Sequence, residues 1–205
     1  MDLDIGPPPE FGPNGAWPPI RSTPTVVARW DTTWPSFNEI MSLRRKGLSD
    51  GEMRARFATY VCLRQFWVRE DPPTQLSPGT SSEVELSYRV GLTRSQAKEI
   101  ANAVGISLGF GEHLTLTGQS SAKSSVAISF AVDRTVTRRI KLSNPMDRTY
   151  RLIALWHIYC QILRMADDSD SAPSASSTEE AQIAEFFASD ALVTTSIDLP
   201  IQHEG

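Results

Sequence analysis

From Ser124 to Asn144 the chain has neither proline nor glycine, and Val126, Ile128, Phe130, Val132, Val136, Ile140 and Leu142 all fall on even positions. A period of two is the signature of a strand, because successive side chains leave the backbone on opposite sides. The run is far longer than the ~5–6 residues of an ordinary strand. A chain built this way folds into twisted, bent or multiply layered β-sheet. The same period occurs at Val84, Leu86, Tyr88, Val90 and Leu92, and again at Leu108, Phe110, Leu114 and Leu116.

The remaining segments fill in around this β body. Thr25–Trp30 is short and β-branched, which predicts a first strand. Ser36 followed by Glu39 is a capping box for a helix that would bury Phe37, Ile40, Met41 and Leu43 and stop at Gly47. Ser49-Asp50-Gly51-Glu52 repeats the pattern and predicts a second short helix through Arg56. Thr59–Arg69 is bulky and β-prone, and Pro72-Pro73 ends it. Ala97, Ile100, Ala101 and Val104 have helical spacing before Gly105. Tyr150–Met165 fits either period; its aromatic residues and β-rich neighbours favour strand. Ser177-Thr178-Glu179-Glu180 caps a last short helix carrying Ile183, Phe186, Phe187 and Leu192. The expected fold is mainly β (α+β): elongated antiparallel sheets or a sandwich, with an amphipathic hairpin, two short N-terminal-side helices and a C-terminal helix.

Eight of the 14 prolines lie in the first 35 residues, which predicts an extended, flexible arm over 1–24. A single β-dominated domain is expected over 25–165, then a Ser/Asp linker over 166–178. An acidic tail follows over 179–205. Residues 166–205 hold nine acids and no Lys or Arg, so the overall charge of −4 divides into a +5 body and a −9 tail. That tail, with Ile183, Phe186 and Phe187 as its apolar ridge, is expected to dock on the body or on a neighbouring subunit.

Chemistry-bearing constellations are sparse. Two cysteines, Cys62 and Cys160, exclude a disulfide framework or multi-cysteine zinc site, and both lie in apolar runs that predict buried, inert thiols. His157 sits in the most apolar run and reads as a core residue rather than a general base. No Gly-rich phosphate loop follows a strand, and no Ser, His and acid form a readable triad. The expectation is a protein with no catalytic, cofactor-binding or metal-binding residues, hence not an enzyme and with no cofactor. Leu43–Glu52 and Gly91–Ile100 imitate helix-turn-helix starts. The sequel to the first, Phe57–Leu63, lacks the exposed Arg, Asn or Gln of a reader helix, so no nucleic-acid partner is expected.

The segment 108–132 carries the most information. Its arms, Leu108–Leu116 and Ser124–Val132, flank a small polar tip, Thr117–Lys123. A membrane-spanning β-strand needs about 9–11 residues with one apolar face. Leu108, Phe110, Leu114, Leu116, Val126, Ile128, Phe130 and Val132 would form that face, opposite Gly109, Gly111, His113, Thr115, Ala127, Ser129 and Ala131. Glu112 falls on the apolar face near mid-arm, and Arg134 and Arg138 would end insertion near Val132. The bland reading of the same pattern is an ordinary hairpin in a soluble sandwich.

The order of these features is also informative. Val84–Gly91 leads into the Ser/Thr-rich amphipathic hairpin and the long strand Val126–Leu142, then Asn144-Pro145 and the aromatic strand Tyr150–Ile158. Over about residues 84–158 this order resembles the β-pore-forming proteins of the aerolysin and epsilon-toxin type. The resemblance implies elongated antiparallel sheets, homo-oligomeric rings, membrane insertion after assembly and no catalysis. The rival expectation is a soluble interaction or assembly subunit without membrane activity; a helix-turn-helix DNA binder ranks third. The acidic, Pro-rich start and the lack of an ~18-residue apolar run predict synthesis in the cytoplasm. Action outside the cell would then require a non-standard release route.

Overall fold

A computed structural model describes residues 5–31, 37–49, 59–104, 107–110, 113–119, 125–166 and 181–201. The chain is mainly β, built on an 8-stranded mixed sheet and a separate 3-stranded sheet. The organising element is β9, Thr149–Ala166, an 18-residue strand where the sequence allowed strand or helix. One of its edges pairs antiparallel with β2 (Thr59–Arg69) and β3 (Thr74–Leu76). Its other edge pairs with β10 (Ala181–Phe187) and β11 (Val193–Pro200). β1 (Thr25–Asp31) extends the sheet beyond β2. A ribbon of β4 (Ser81–Val90) and β8 (Arg134–Ser143) joins through the single parallel pair Phe187↔Val90.

Both faces of β9 are covered, so its sequence reads as nearly continuous apolar residues. Ile153 and Leu155 pack under the β4/β8 ribbon with Val84, Leu86, Ile140 and Leu142. Further along that face, Leu163 and Met165 pack with Cys62 and Tyr60. On the opposite face, Ala154 and Trp156 meet Trp67, Ile5 and Phe11, and the Trp156 indole N–H donates to Thr195 Oγ1 at 2.9 Å. Cys160 and Ile162 lie in the largest core cluster, with Trp30, Leu63, Ile100, Leu114, Phe130 and Phe186. That cluster joins the large sheet to α2 (Arg94–Val104) and to the small sheet of β5 (Ser107–Phe110), β6 (His113–Gln119) and β7 (Ser125–Ala131).

Four expectations change. Residues expected to form the C-terminal helix over 179–192 instead form β10, because the long edge of β9 offers backbone partners that a short isolated helix lacks. The long alternating run over 124–144 divides at Val132-Asp133, with β7 in the small sheet and β8 in the large one. The first hairpin arm, 108–116, is two antiparallel strands that reverse between Phe110 and His113. Glycines at 109 and 111 weaken a continuous strand there. Phe37, expected to be buried by α1 (Phe37–Arg45), is 75% exposed. The stop at Gly47 is as expected: its φ is +88°, and Leu48 N–H and Gly47 N–H donate to the Leu43 and Arg44 carbonyls in a Schellman motif. The expected second helix over 49–56 lies outside the described residues, apart from Ser49.

Residues 5–24 run against the body. Arg69 Nη1 donates to Pro18 O at 2.8 Å, the Trp67 indole N–H to Gly6 O at 3.0 Å, and Ser22 N–H to Trp67 O at 2.9 Å. Apolar side chains at 5 and 11 and these backbone acceptors hold a proline-rich stretch that has few N–H donors of its own.

Candidate functional site

The amphipathic segment sits in one topological unit. β4 ends at Val90, the chain passes through α2 and β5–β7, and it returns to the ribbon at Arg134, the register partner of Val90. Residues 91–133 are therefore an insertion whose two ends touch. Leu92 N–H donates to Ala131 O at 3.0 Å, Asp133 N–H to Leu92 O at 2.9 Å, and Gly91 N–H to Phe187 O at 3.0 Å. Gly91 has φ +89°, and a Cβ there would lie 2.3 Å from Ala131 O. Arg89 forms an ion pair with Asp133 beside the crossing.

Within the small sheet, register gathers the residues singled out above into cross-strand rows. Phe110, Leu114 and Phe130 form one row, and Leu108, Leu116 and Ile128 the next. Leu114 and Phe130 are buried, while Gly109 and Ser129 on the other side are exposed. Val126 pairs with Gly118, and Val132 forms a single parallel bridge with Leu92. Thr115 and Ser129 hydroxyls are 2.9 Å apart across the polar side. Glu112, residues 120–123 of the expected tip and Ser124 of the second arm lie outside the described residues.

The apolar row and the tail meet. The Phe130 ring stands edge-on to Phe186 at 5.2 Å and 88°, and Ile183 packs on the same cluster. Phe187 points into a second group of rings, 5.5 Å from Tyr88, 5.0 Å from His157 and 5.1 Å from Tyr159. His157 is 1% exposed, and its Nε2 lies 2.8 Å from Glu70 Oε1, off the line of a hydrogen bond. The tail's acids reach body bases: Asp190 to Arg138 at 3.1 Å and Arg134 at 3.4 Å, and Asp198 to Arg151 at 2.7 Å. The Arg151 guanidinium holds the Asp198 carboxyl below its ordinary range. These pairs are solvent-accessible and screened by water, so each adds little to stability. Sequence reading did not find the residues that tie this unit together, Gly91, Leu92 and Asp133, because the crossing they make is non-local.

Burial also sets a measurable alkaline limit. Cys160 accepts from Gln65 Nε2 at 3.1 Å, and desolvation pushes its thiol up to about 12. Tyr159, partly buried and hydrogen-bonded to Glu185, is also pushed up to about 12. A raised folded-state value means stability is intact below the unfolded thiol's range, near 8.5–9, and falls as pH rises from there toward 12. For Cys160 the expected loss by pH 11 is about 3 kcal/mol. Cys160→Ala should flatten the slope of stability against pH even though it lowers stability at neutral pH. An unchanged slope in urea titrations between pH 8 and 11 would contradict a buried thiol.

No protein-family model matches the chain, and no curated protein matches it in sequence. Among the described residues no helix is long and apolar enough to cross a membrane, which leaves strands unaddressed.

Proposed function

We propose that this is a non-enzymatic, self-associating protein that inserts its amphipathic β segment into a membrane as part of an oligomeric β-barrel. The observation that carries the reading is the insertion topology. The segment belongs to a unit, 91–133, that leaves and re-enters the large sheet at one crossing. Among the described residues the small sheet shares no ladder with the large one, and it rests on it through packed apolar side chains, among them Leu114 and Phe130. Such a unit can swing out without dismantling β1, β2 or β9, and its apolar rows then need a new apolar partner. Lipid supplies one, and closure into a barrel satisfies the strand edges.

Dye release from lipid vesicles tests this. Leu116→Arg is expected to abolish release, because an Arg facing the bilayer midplane costs roughly 2–4 kcal/mol per subunit. Thr115→Arg, one residue along on the polar face, should leak within a few-fold of the unsubstituted protein. Equal leakage by both variants would remove the proposal. A second reading, a soluble assembly subunit, draws on the open edge of β8 at the end of the large sheet, a template for pairing with another copy. Oligomers that form without any leakage by the unsubstituted protein would favour it.

A further inference from the structure

The register of the ribbon and that of the small sheet are one register. The β4/β8 ladder runs from Ser81↔Ser143 to Val90↔Arg134 without a slip. Continued residue by residue past Val90↔Arg134, it arrives at Ser107↔Thr117, Leu108↔Leu116 and Phe110↔Leu114, the pairs that β5 and β6 already make. Between these two stretches the ladder is interrupted, on one arm by α2 and on the other by β7, which pairs with β6 in a different register, Thr117↔Ala127.

Resting on the membrane-insertion reading, we infer that residues 91–133 open into a single hairpin that continues the β4/β8 ladder, with its turn at Gly111–His113. In that hairpin α2 becomes strand and pairs with β7. Three features of the sequence support it. No proline occurs between Val90 and Arg134, so neither arm is barred from a ladder. The odd positions from Thr93 to Ala131 hold no large apolar residue, even through α2. The even positions from Ile100 to Leu116 are Ile, Asn, Val, Ile, Leu, Phe, Glu, Leu and Leu, so the period of two passes through the last half of the helix.

Charge placement adds a fourth support, stronger than these three. With the turn at 117–123, Glu112 lies in mid-arm facing lipid. With the turn at 111–113, Glu112 lies at the tip, beyond the hydrocarbon. The charge-free stretches then run from Ile100 to Gly111 on one arm and from Leu114 to Ala122 on the other. They are bounded by Lys98-Glu99 and Lys123. Each is close to the roughly 9–11 residues that a tilted strand needs to cross a bilayer. The docked fold keeps this hairpin divided by giving α2 a buried face, Ala97, Ile100 and Ala101, and a reciprocal cap between Thr93 and Gln96.

The two registers make opposite demands on vesicle leakage. In the continued ladder Val104 pairs with Ser120, in mid-arm and within the membrane. Val104→Arg and Ser120→Arg should therefore each reduce dye release at least 10-fold, whereas with the turn at 117–123 both positions lie outside the hydrocarbon and both variants would retain release. A disulfide between cysteines at Thr117 and Ala127 locks the docked β6/β7 register, whose Cα spacing suits the bond. In the continued hairpin those positions are ten residues apart on one arm. The oxidised pair should not leak, and reduction should restore leakage. The native cysteines, Cys62 and Cys160, are buried and form no disulfide, so they do not compete for the new bond. Circular dichroism of each variant before vesicle addition separates a failure to fold from a failure to insert. Leakage by the oxidised pair, or release retained by both Val104→Arg and Ser120→Arg, would overturn the inference while leaving membrane insertion standing. Absence of leakage from the unsubstituted protein would instead overturn the insertion reading itself.

Discussion

Gly91→Ala is expected to lower the stability of the folded chain by about 4 kcal/mol or more. Gly91 holds φ at +89°, a left-handed conformation that costs an L side chain roughly 1–2 kcal/mol. The added Cβ would also lie 2.3 Å from Ala131 O and 2.8 Å from Ala131 C. Those are backbone atoms, fixed by the Leu92–Ala131 and Asp133–Leu92 hydrogen bonds, so the clash is relieved only by opening the crossing. Gly15 is the control. Its Cβ would meet Leu199 Cδ1 at 2.4 Å, but that atom ends a flexible side chain, so Gly15→Ala should cost about 1–2 kcal/mol. Chemical denaturation of both variants decides the matter. A loss under 1 kcal/mol at Gly91 would mean the crossing is not closed in solution.

Phe186→Ala should cost about 3–5 kcal/mol in the same measurement, the usual range for emptying a buried aromatic site. Its ring is 5% exposed and abuts Phe130, so the loss falls where the small sheet rests on the large one. The variant therefore has a second expected signature. Amide hydrogen exchange should quicken in β6 and β7 more than in β2 and β9, whose ladder does not involve the ring. Under the insertion proposal, leakage should also begin at a lower protein concentration. Uniform exchange throughout the chain would show that β10 supports the whole fold and has no special hold on the small sheet.

These two sites show what a reader of the sequence could see. Alternation is local, so Val84–Val90, Leu108–Leu116 and Val126–Leu142 were legible as strands. Thr93 and Gln96 are equally local, and their reciprocal cap at the start of α2 could have been read from their three-residue spacing. Which strands share a sheet was not legible. The break at Val132-Asp133 has no proline or glycine to mark it and exists because Leu92, forty residues earlier, takes the backbone bonds there. Residues 181–187 illustrate the opposite error. Ile183, Phe186 and Phe187 have helical spacing, but the unpaired edge of β9 outweighs that preference, and nothing near Ala181 announces the edge. The site was legible as a composition and a period. Its register, and so the position of its turn, needed the pairing.

The placement of β9 has a consequence for how the protein is made. Its partners β2 and β3 precede it on the ribosome, and β2 lies about eighty residues upstream. At roughly 5–20 residues per second, β2 waits on the order of 4–16 s for the strand that covers its inner edge. During that interval the nascent chain presents Val61, Leu63, Phe66 and Trp67, with β1 the one earlier strand among the described residues that pairs with β2. Such a segment is a natural client for a holding chaperone, and slowing elongation across β4–β8 would lengthen its exposure. Yield of native protein during synthesis should therefore respond more to chaperone supply than its equilibrium stability would suggest.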